Sequence, residues 1–250
     1  MTPEKQEQLL QALDIPYFGR QKCAFHCDDH QRDLLHRSAK RTILNCSRQI
    51  GKSTIAALKA VHSAHFHPGI TIVVTSPTKQ QSREFIRKAR TFALLSGSSL
   101  RGSRESVEFK NGSRIIAIAA NEDTVRGFSA VALLIVDEAA RVKDEVYFAL
   151  LPTLAVSGGA VWLLSTPKGK RGFFYAEWNS SDFEGWAKMR TKAQDCARIT
   201  PEFLHKQKRR LGERRFMQDY ECHFLDSTQG MFHPETVRNA FQESTTILDF

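Results

Sequence analysis

The sequence predicts an α/β fold in which helices flank a mostly parallel central sheet. Four short apolar runs, at 42–44, 70–75, 132–136 and 160–164, have the composition of strands that are buried on both faces. Helix-forming stretches at 55–61, 79–95 and 143–154 lie between these runs. A chain of 250 residues has room for one large α/β domain and a small appended subdomain.

Composition and charge narrow the class of protein. No apolar run approaches the ~20 residues that a membrane span needs, and the N-terminus lacks a signal-peptide pattern. Five scattered cysteines argue against a disulfide framework and favour a reducing compartment. The net charge of +9 and the pI near 9.5 favour a polyanionic partner.

The N-terminal segment predicts a helix, a loop and a second helix. Residues 3–13 have the pattern of an amphipathic helix, and a loop is expected around Pro16, Tyr17 and Phe18. The stretch 23–30 carries four potential metal ligands, but zinc sites usually join two separated ligand pairs, so zinc is the less favoured interpretation. Asp28 or Asp29 is instead expected to cap a helix that begins near residue 30.

A phosphate-binding loop is predicted at residues 45–54 (NCSRQIGKST), between a short strand and a helix. This is the arrangement of P-loop nucleotide hydrolases. Gly51 would let backbone N–H groups approach phosphate, Lys52 would reach the terminal phosphates, and the Ser53 hydroxyl would ligate Mg²⁺. Cys46 departs from the general pattern, which has a glycine at that position.

Two further apolar runs end in residues that suit the same chemistry. The run at 132–136 delivers Asp137 to a Mg²⁺ ion, and Glu138 beside it is able to orient or deprotonate a water molecule. The run at 160–164 ends in Ser165 and Thr166, where a γ-phosphate would be sensed in an open α/β sheet. The phosphate loop and the Asp137–Glu138 motif together predict a nucleoside triphosphatase.

The remaining segments predict a hairpin, a strand and two helices. Asn111 and Gly112 predict a type I′ turn between strands at 107–109 and 114–118. A strand is expected at 186–190, followed by helices at 201–211 and 213–220.

Two basic stretches are candidate contacts for nucleic acid. Residues 79–104 contain seven basic residues and one acidic residue, with Lys79, Arg83, Arg87 and Arg90 on one helix face. Contact with a phosphate backbone and a solvated face are equally favoured there. A second run is interpreted as a solvated face; it comprises Lys206, Lys208, Arg209, Arg210, Arg214 and Arg215.

The ordered set of motifs resembles the ATPase portion of tailed-bacteriophage large terminases, the motors that package viral DNA into a procapsid. The resemblance covers nearly the whole chain and rests on residues 47–53, 109–113, 125–129, 134–140, 164–169, 212–216 and 220–222. Cys46 fits this family, whose P-loops commonly lack the first glycine and carry a basic residue where Arg48 stands. The implied fold is a P-loop NTPase of the ASCE (RecA-like) type, with an ATPase core at 1–185 and, at 186–250, a lid subdomain and a linker towards an absent nuclease domain.

The resemblance also implies roles for individual residues. Gln31 matches the adenine-reading glutamine, although His30 stands where the family usually has an aromatic residue, which leaves adenine selectivity open. The catalytic set would be Lys52, Glu138, Arg126 acting on a neighbouring subunit's nucleotide, and Arg48 acting in its own subunit. Ser53 and Asp137 would hold Mg²⁺, and Thr166 would couple the γ-phosphate to subdomain movement. The nucleotide-binding set is Gln31, Ser47, Arg48, Gln49, Ile50, Gly51, Lys52, Ser53, Thr54, Asp137 and Thr166.

The implied function is hydrolysis of ATP, with Mg²⁺, to drive double-stranded viral DNA into a procapsid. The implied partners are double-stranded DNA, portal protein, the small terminase subunit and further copies of the chain, which would form a pentameric ring. The implied location is the host cell cytoplasm, and no membrane is involved. No nuclease activity is expected, because the chain stops about where the family's ribonuclease-H-type domain would begin. The alternatives are a helicase-like DNA translocase, which needs a second motor domain, and a non-catalytic, nucleotide-dependent module that binds portal protein.

Overall fold

The structure, a computed structural model, describes residues 2–120, 127–180 and 185–226. The strands within these ranges are β1 Arg41–Cys46, β2 Thr71–Ser76, β3 Leu100–Arg101, β4 Ser106–Phe109, β5 Arg114–Ala119, β6 Val131–Asp137, β7 Ala160–Ser165 and β8 Trp186–Thr191. They form one sheet in the order β3-β4-β5-β2-β6-β7-β1-β8. From β5 to β8 every neighbouring pair is parallel, and only the pairs β3–β4 and β4–β5 are antiparallel.

The helices are α1 Pro3–Leu13, α2 Ile15–Lys22, α3 Asp29–His36, α4 Lys52–Phe66, α5 Lys79–Leu95, α6 Asp144–Leu150, α7 Gly172–Asn179, α8 Pro201–Leu211 and α9 Glu213–Asp219. Buried side chains of α4 and α5 pack on one face of the sheet, and those of α6 and α7 pack on the other. The predicted α/β fold with a mostly parallel, helix-flanked sheet is confirmed. No helix in the described ranges has the length and apolar character needed to cross a bilayer.

Strand β6 illustrates how the sheet positions its polar ends. Leu133 and Ile135 pack on the α4 and α5 side, whereas Leu134 and Val136 pack on the α6 and α7 side. Side chains alternate along a strand, so the next residue, Asp137, falls on the side of α4. An apolar run that is buried on both faces therefore ends by placing a carboxylate next to the start of that helix.

The N-terminal segment differs from the prediction at one point. Residues 15–22 form helix α2, not a loop. The Asp14 side chain accepts a hydrogen bond from the backbone N–H of Tyr17 at 2.9 Å, and Pro16 lies in the first turn, where a missing N–H costs nothing. Phe18 is then fully buried against α4. The predicted helix at 3–13 and the cap at Asp28 are confirmed.

The predicted hairpin is confirmed, but its turn is not type I′. Gly112 has a positive φ of 84°, whereas Asn111 does not share this left-handed conformation. The N–H of Gly112 donates to the carbonyl of Phe109 at 3.0 Å, and the N–H of Phe109 donates to the carbonyl of Ser113 at 2.8 Å. This is a three-residue loop that ends in a left-handed glycine. The Asn111 amide instead donates to the carbonyl of Ala64 at 2.8 Å, which ties the turn to the end of α4.

The sheet continues beyond residue 185, the predicted end of the core. Strand β8 begins at Trp186 and pairs in parallel with β1, from Arg41 opposite Trp186 to Cys46 opposite Thr191. The core sheet therefore extends to Thr191. The helices of the predicted lid follow: α8 buries none of its side chains, and α9 buries Phe216 and Asp219. The division into a core and a lid stays a prediction.

Candidate functional site

Predicted site residues from three motifs lie at the carboxyl ends of three neighbouring strands. Strands β6, β7 and β1 are adjacent and parallel, so their carboxyl ends meet at one edge of the sheet. Asp137 ends β6, Thr166 follows β7, and residues 47–51 follow β1. The sheet order thus brings together motifs that lie more than 100 residues apart; Lys52 and Thr166 are 114 positions apart.

The predicted phosphate loop runs from β1 into the positive end of a 15-residue helix, α4. Cys46 is the last residue of β1 and is fully buried. Burial raises the pKa of its thiol to about 11. Its side chain belongs to the core, which accounts for a position that departs from the glycine of the general pattern. The left-handed positions of the loop are Gln49, with φ 64°, and Gly51, with φ 85°.

Gln31 contacts the loop directly and is only 3% exposed. Its amide nitrogen donates to the carbonyl of Ile50 at 3.0 Å, and its amide oxygen accepts from the N–H of Asp28 at 3.1 Å. Arg198 also donates to the Ile50 carbonyl, at 3.3 Å, and His30 Nε2 lies 3.2 Å from it. Three side chains therefore converge on one carbonyl of the phosphate loop.

The first residues of the loop are held by the C-terminal end of α9. The Ser47 hydroxyl donates to the backbone carbonyl of Asp219 at 3.1 Å, and the N–H of Arg48 donates to the same carbonyl at 3.3 Å. The Arg48 guanidinium lies 3.4 Å from the Asp219 carboxylate, which is almost fully buried. The position of Arg48 is thus coupled to the segment that was predicted to form the lid.

Lys52 and Glu138 form an ion pair at the centre of the site. Lys52 Nζ lies 3.0 Å from Glu138 Oε1 and donates to the Thr166 hydroxyl at 3.4 Å. Glu138 adopts a left-handed backbone, with φ 55° and ψ 42°, immediately after β6. Its second oxygen, Oε2, accepts from Arg141 Nη1 at 2.7 Å. Both oxygens of this carboxylate therefore contact a cation.

Asp137 and Ser53 provide an oxygen pair suited to a magnesium ion. Asp137 is 5% exposed, and burial raises the pKa of its carboxyl. A hydrogen bond from the Ser53 hydroxyl and the charge of Lys52 oppose that shift. A carboxylate and a hydroxyl are ligand types that Mg²⁺ accepts. The residues present fit the ion that the sequence analysis assigned to them.

A pocket of about 290 Å³ opens onto this ion pair. Four of the predicted residues line it: Arg48, Gln49, Lys52 and Glu138. Gln81 and Arg141 also line it and were not predicted. Thr54 lies in the first turn of α4, where its N–H donates to the carbonyl of Gly51 at 3.0 Å. Arg126 lies outside the described residues.

Sequence reasoning missed three partners of the site: Arg141, Arg198 and Asp219. Arg141 follows Glu138 by three positions on a helical turn, a spacing that brings side chains together, so this contact had a local signal. Asp219 had none, because 172 positions separate it from Ser47 and the contact depends on how α9 packs.

The potential metal ligands of residues 23–30 do not assemble into one cluster. Cys23 is buried, and its sulfur points to the carbonyl of Phe92 at 3.6 Å. Asp28 and His30 instead come together with Cys196, their ligand atoms lying within 4.8 Å of one another. Arg198 Nε contacts the same Asp28 oxygen at 2.7 Å. A guanidinium therefore already neutralises the carboxylate that a metal would need.

The predicted basic face of α5 is partly neutralised by neighbouring acids. Lys79 and Arg83 both contact Glu105, at 3.3 and 2.9 Å, and Arg87 pairs with Glu84 at 2.6 Å. Arg90 is half-buried and donates to two backbone carbonyls. On the opposite side of the helix, Phe85, Ala89 and Phe92 are buried.

Comparison with known proteins places the chain among viral packaging proteins. The family model described as "Terminase large subunit, T4likevirus-type, N-terminal" matches residues 43–238. A curated relative, the large terminase subunit of Thermus virus P23-45, is 28% identical over 169 residues, which are 58% of this chain and 35% of that protein. The chain thus spans about a third of the length of that relative.

Two solved structures share the fold. The large terminase ATPase domain of Thermus phage P74-26 superimposes with a TM-score of 0.73 at 21% identity, covering 83% of this chain and 97% of that one. A large terminase of a thermophilic bacteriophage, in complex with ADP, gives a TM-score of 0.66 at 13% identity, covering 86% of this chain and 53% of that one.

The family model covers most of the chain, and its match includes the phosphate loop, Asp137, Glu138 and Thr166. The chain therefore belongs to the T4likevirus-type terminase large subunit family, in its N-terminal part.

Proposed function

We propose that this chain hydrolyses ATP to drive double-stranded DNA into a viral procapsid. The observation that carries the proposal is the convergence of Lys52, Ser53, Asp137, Glu138 and Thr166 at the carboxyl ends of β1, β6 and β7. Family membership and the ADP complex of a terminase with the same fold support ATP as the nucleotide.

The proposed chemistry assigns one task to each side chain. Lys52 and the N–H groups at the start of α4 hold the phosphates. Ser53 and Asp137 hold Mg²⁺, which neutralises charge on the phosphate oxygens when bound. Glu138 accepts a proton from the attacking water, or orients it, and for this its carboxylate has to leave Lys52.

The arginines and Thr166 are proposed to link hydrolysis to movement. Thr166 is almost fully buried and contacts Lys52. Because Lys52 is proposed to hold the terminal phosphate, loss of that phosphate would alter the contact with Thr166 at the end of β7. Arg48 contacts Asp219 at the end of α9, which offers a route from the loop to the predicted lid. Arg126 is proposed to stabilise the transferred phosphoryl group in a neighbouring subunit.

The wider setting is proposed from the family. The partners are double-stranded DNA, portal protein, the small terminase subunit and further copies of the chain in a ring, a pentamer, on a procapsid in the host cytoplasm. The excess of basic residues suits a phosphate backbone. In the described residues of the 79–104 stretch, Lys88, Arg90, Arg101 and Arg104 form no ion pair. Arg90 donates to two backbone carbonyls, which leaves Lys88, Arg101 and Arg104 as the candidates for contact.

Replacing Glu138 tests the proposal. Glu138→Gln keeps the shape of the side chain but cannot accept a proton, so phosphate release from ATP should slow by at least ~10²-fold while ATP still binds. Glu145→Gln, an exposed acid on α6, is the matched control and should release phosphate at the wild-type rate. Wild-type turnover in Glu138→Gln would show that the base is another group. A wild-type chain that binds ATP without releasing phosphate would favour the non-catalytic module.

A further inference from the structure

We propose that Arg141 is a positioning residue for Glu138. Lys52 pairs with the Glu138 carboxylate only until a nucleotide phosphate binds and pairs with Lys52 instead. The inference deepens the proposed function and rests on it, because Glu138 is the base of the proposed hydrolysis. It assigns a role to Arg141 and gives the Lys52–Glu138 contact a function of its own.

The observation is a carboxylate shared between two cations. Lys52 Nζ lies 3.0 Å from Oε1, and Arg141 Nη1 lies 2.7 Å from Oε2. The three side chains are partly enclosed, with 9% of Lys52, 21% of Glu138 and 25% of Arg141 exposed. All three line the pocket in which a phosphate would lie.

A base held in this way is inactive. Each Glu138 oxygen already contacts a cation, so neither oxygen is free to accept a hydrogen bond from an attacking water. Glu138 and a terminal phosphate compete for the single ammonium group of Lys52. A triphosphate carries more negative charge than one carboxylate, so its arrival draws Lys52 away and frees Oε1.

Arg141 differs from Lys52 because it belongs to the same turn as the base. It lies three positions after Glu138, on the short 3-10 helix Ala139–Arg141. That turn is fixed at its start, since Asp137 Oδ1 accepts the N–H of Glu138 at 3.0 Å, and Ser165 Oγ accepts the N–H of Ala140 at 3.1 Å. Arg141 can therefore keep Oε2 in place after Lys52 has left, with Oε1 directed into the pocket.

The contact should matter for binding and turnover more than for folding. An ion pair that is partly exposed to solvent contributes little to stability. A displacement of the reacting group by about 1 Å, by contrast, can cost ~10²-fold in rate. A substitution at Arg141 should therefore leave the melting temperature close to that of the wild type while it changes the behaviour of Glu138.

The test compares Arg141→Ala and Arg141→Lys with Arg37→Ala in the full chain. Arg37 pairs with Asp33 at 3.1 Å on the exposed side of α3 and provides the matched control. Phosphate release should fall about 10–100-fold in Arg141→Ala. It should recover partly in Arg141→Lys, which keeps a cation, and stay at the wild-type rate in Arg37→Ala.

A binding cycle tests the shared carboxylate without relying on turnover. Without Arg141, Glu138 holds Lys52 more tightly, so the Kd for a non-hydrolysable ATP analogue should rise about threefold or more. The same Arg141→Ala change should have no effect on Kd in a Glu138→Gln background, because a neutral amide no longer competes with phosphate for Lys52.

The outcomes separate this inference from the proposed function. Coupling between Arg141 and Glu138 in the binding cycle supports the inference, even if the wild-type chain releases no phosphate and the proposed hydrolysis fails. Equal changes in Kd in both backgrounds would overturn it. If the wild-type chain releases phosphate, release in Arg141→Ala at the rate of Arg37→Ala would also overturn it.

Discussion

Gly51 provides a quantitative test of how the phosphate loop is built. Its φ is +85°, and a Cβ placed on it would lie 2.5 Å from the amide nitrogen of Gln31. Gly69 is the matched control, because its φ is +75° and a Cβ there would meet no atom within 4 Å. Both substitutions to alanine carry the same left-handed strain of about 1–2 kcal/mol. Only Gly51→Ala also displaces Gln31.

Gly51→Ala should lower the free energy of unfolding further than Gly69→Ala does, because it disturbs the hydrogen bonding of Gln31. The amide end can move, so the loss is its hydrogen bond to Ile50 and not a rigid clash. A lost hydrogen bond costs about 1 kcal/mol, and a buried amide left without a partner costs about 1–3 kcal/mol. Gln31 is almost fully buried, so we expect Gly51→Ala to be less stable than Gly69→Ala by about 1–3 kcal/mol.

Thermal unfolding measures this difference. Each 1 kcal/mol corresponds to a Tm change of about 2–4 °C in a domain of this size, so the two variants should differ by at least about 2 °C. The difference should disappear in a Gln31→Ala background, where no amide is displaced. Equal Tm values for Gly51→Ala and Gly69→Ala in the wild-type background would refute the proposed contact between Gln31 and the loop.

Two further predictions concern acid stability and the unplaced arginine. Burial lowers the pKa of His62 to about 4 from its ordinary value of 6.5, and its Nε2 lies 3.0 Å from the carbonyl of Gln11. As the pH falls, His62 is therefore protonated in the unfolded chain before it is protonated in the folded one. The contribution of neutral His62 to the free energy of unfolding is present above pH 6.5 and is lost towards pH 4. Between pH 7 and 4 the wild type should lose roughly 2–3 kcal/mol more unfolding free energy than His62→Gln, as measured by urea denaturation; a pH-independent difference would contradict this. For Arg126, mixing Arg126→Ala with Glu138→Ala should restore some ATP hydrolysis, because a mixed assembly contains a site with Glu138 next to a subunit with Arg126. No recovery in the phosphate-release assay would assign Arg126 to its own site.

The helices and strands of the core could largely be predicted because their signals are local. The run from Val131 to Val136 is apolar at every position, and a strand of this kind is buried on both faces. Of the two exceptions, α2 has a local cause, whereas the hairpin turn depends on a contact with a distant segment. A cap at Asp14 and a proline in the first turn produce α2, and Asn111 binds α4 and so leaves Gly112 as the left-handed residue of the hairpin loop.

The candidate site was predicted in its residues but not in its contacts. The spacing of the motifs predicted that Lys52, Ser53, Asp137 and Glu138 would form one site. It gave no indication that Lys52 pairs with Glu138, since this contact depends on β7 lying between β1 and β6. The order of strands in a sheet is a property of the whole chain, and no local pattern specifies it.

The sequence by itself determined which residues are buried, where each strand ends and which chemical groups stand at those ends, because periodicity, turn residues and motifs act over a few positions. Only the tertiary structure decided which groups touch. Asp219 holds Ser47 and Arg48, Arg198 reaches the Ile50 carbonyl, and Glu138 is shared by Lys52 and Arg141. The first two of these contacts join segments far apart in the chain, and the third joins Lys52 at the start of α4 to Glu138 just after β6, so packing and not local sequence sets their geometry.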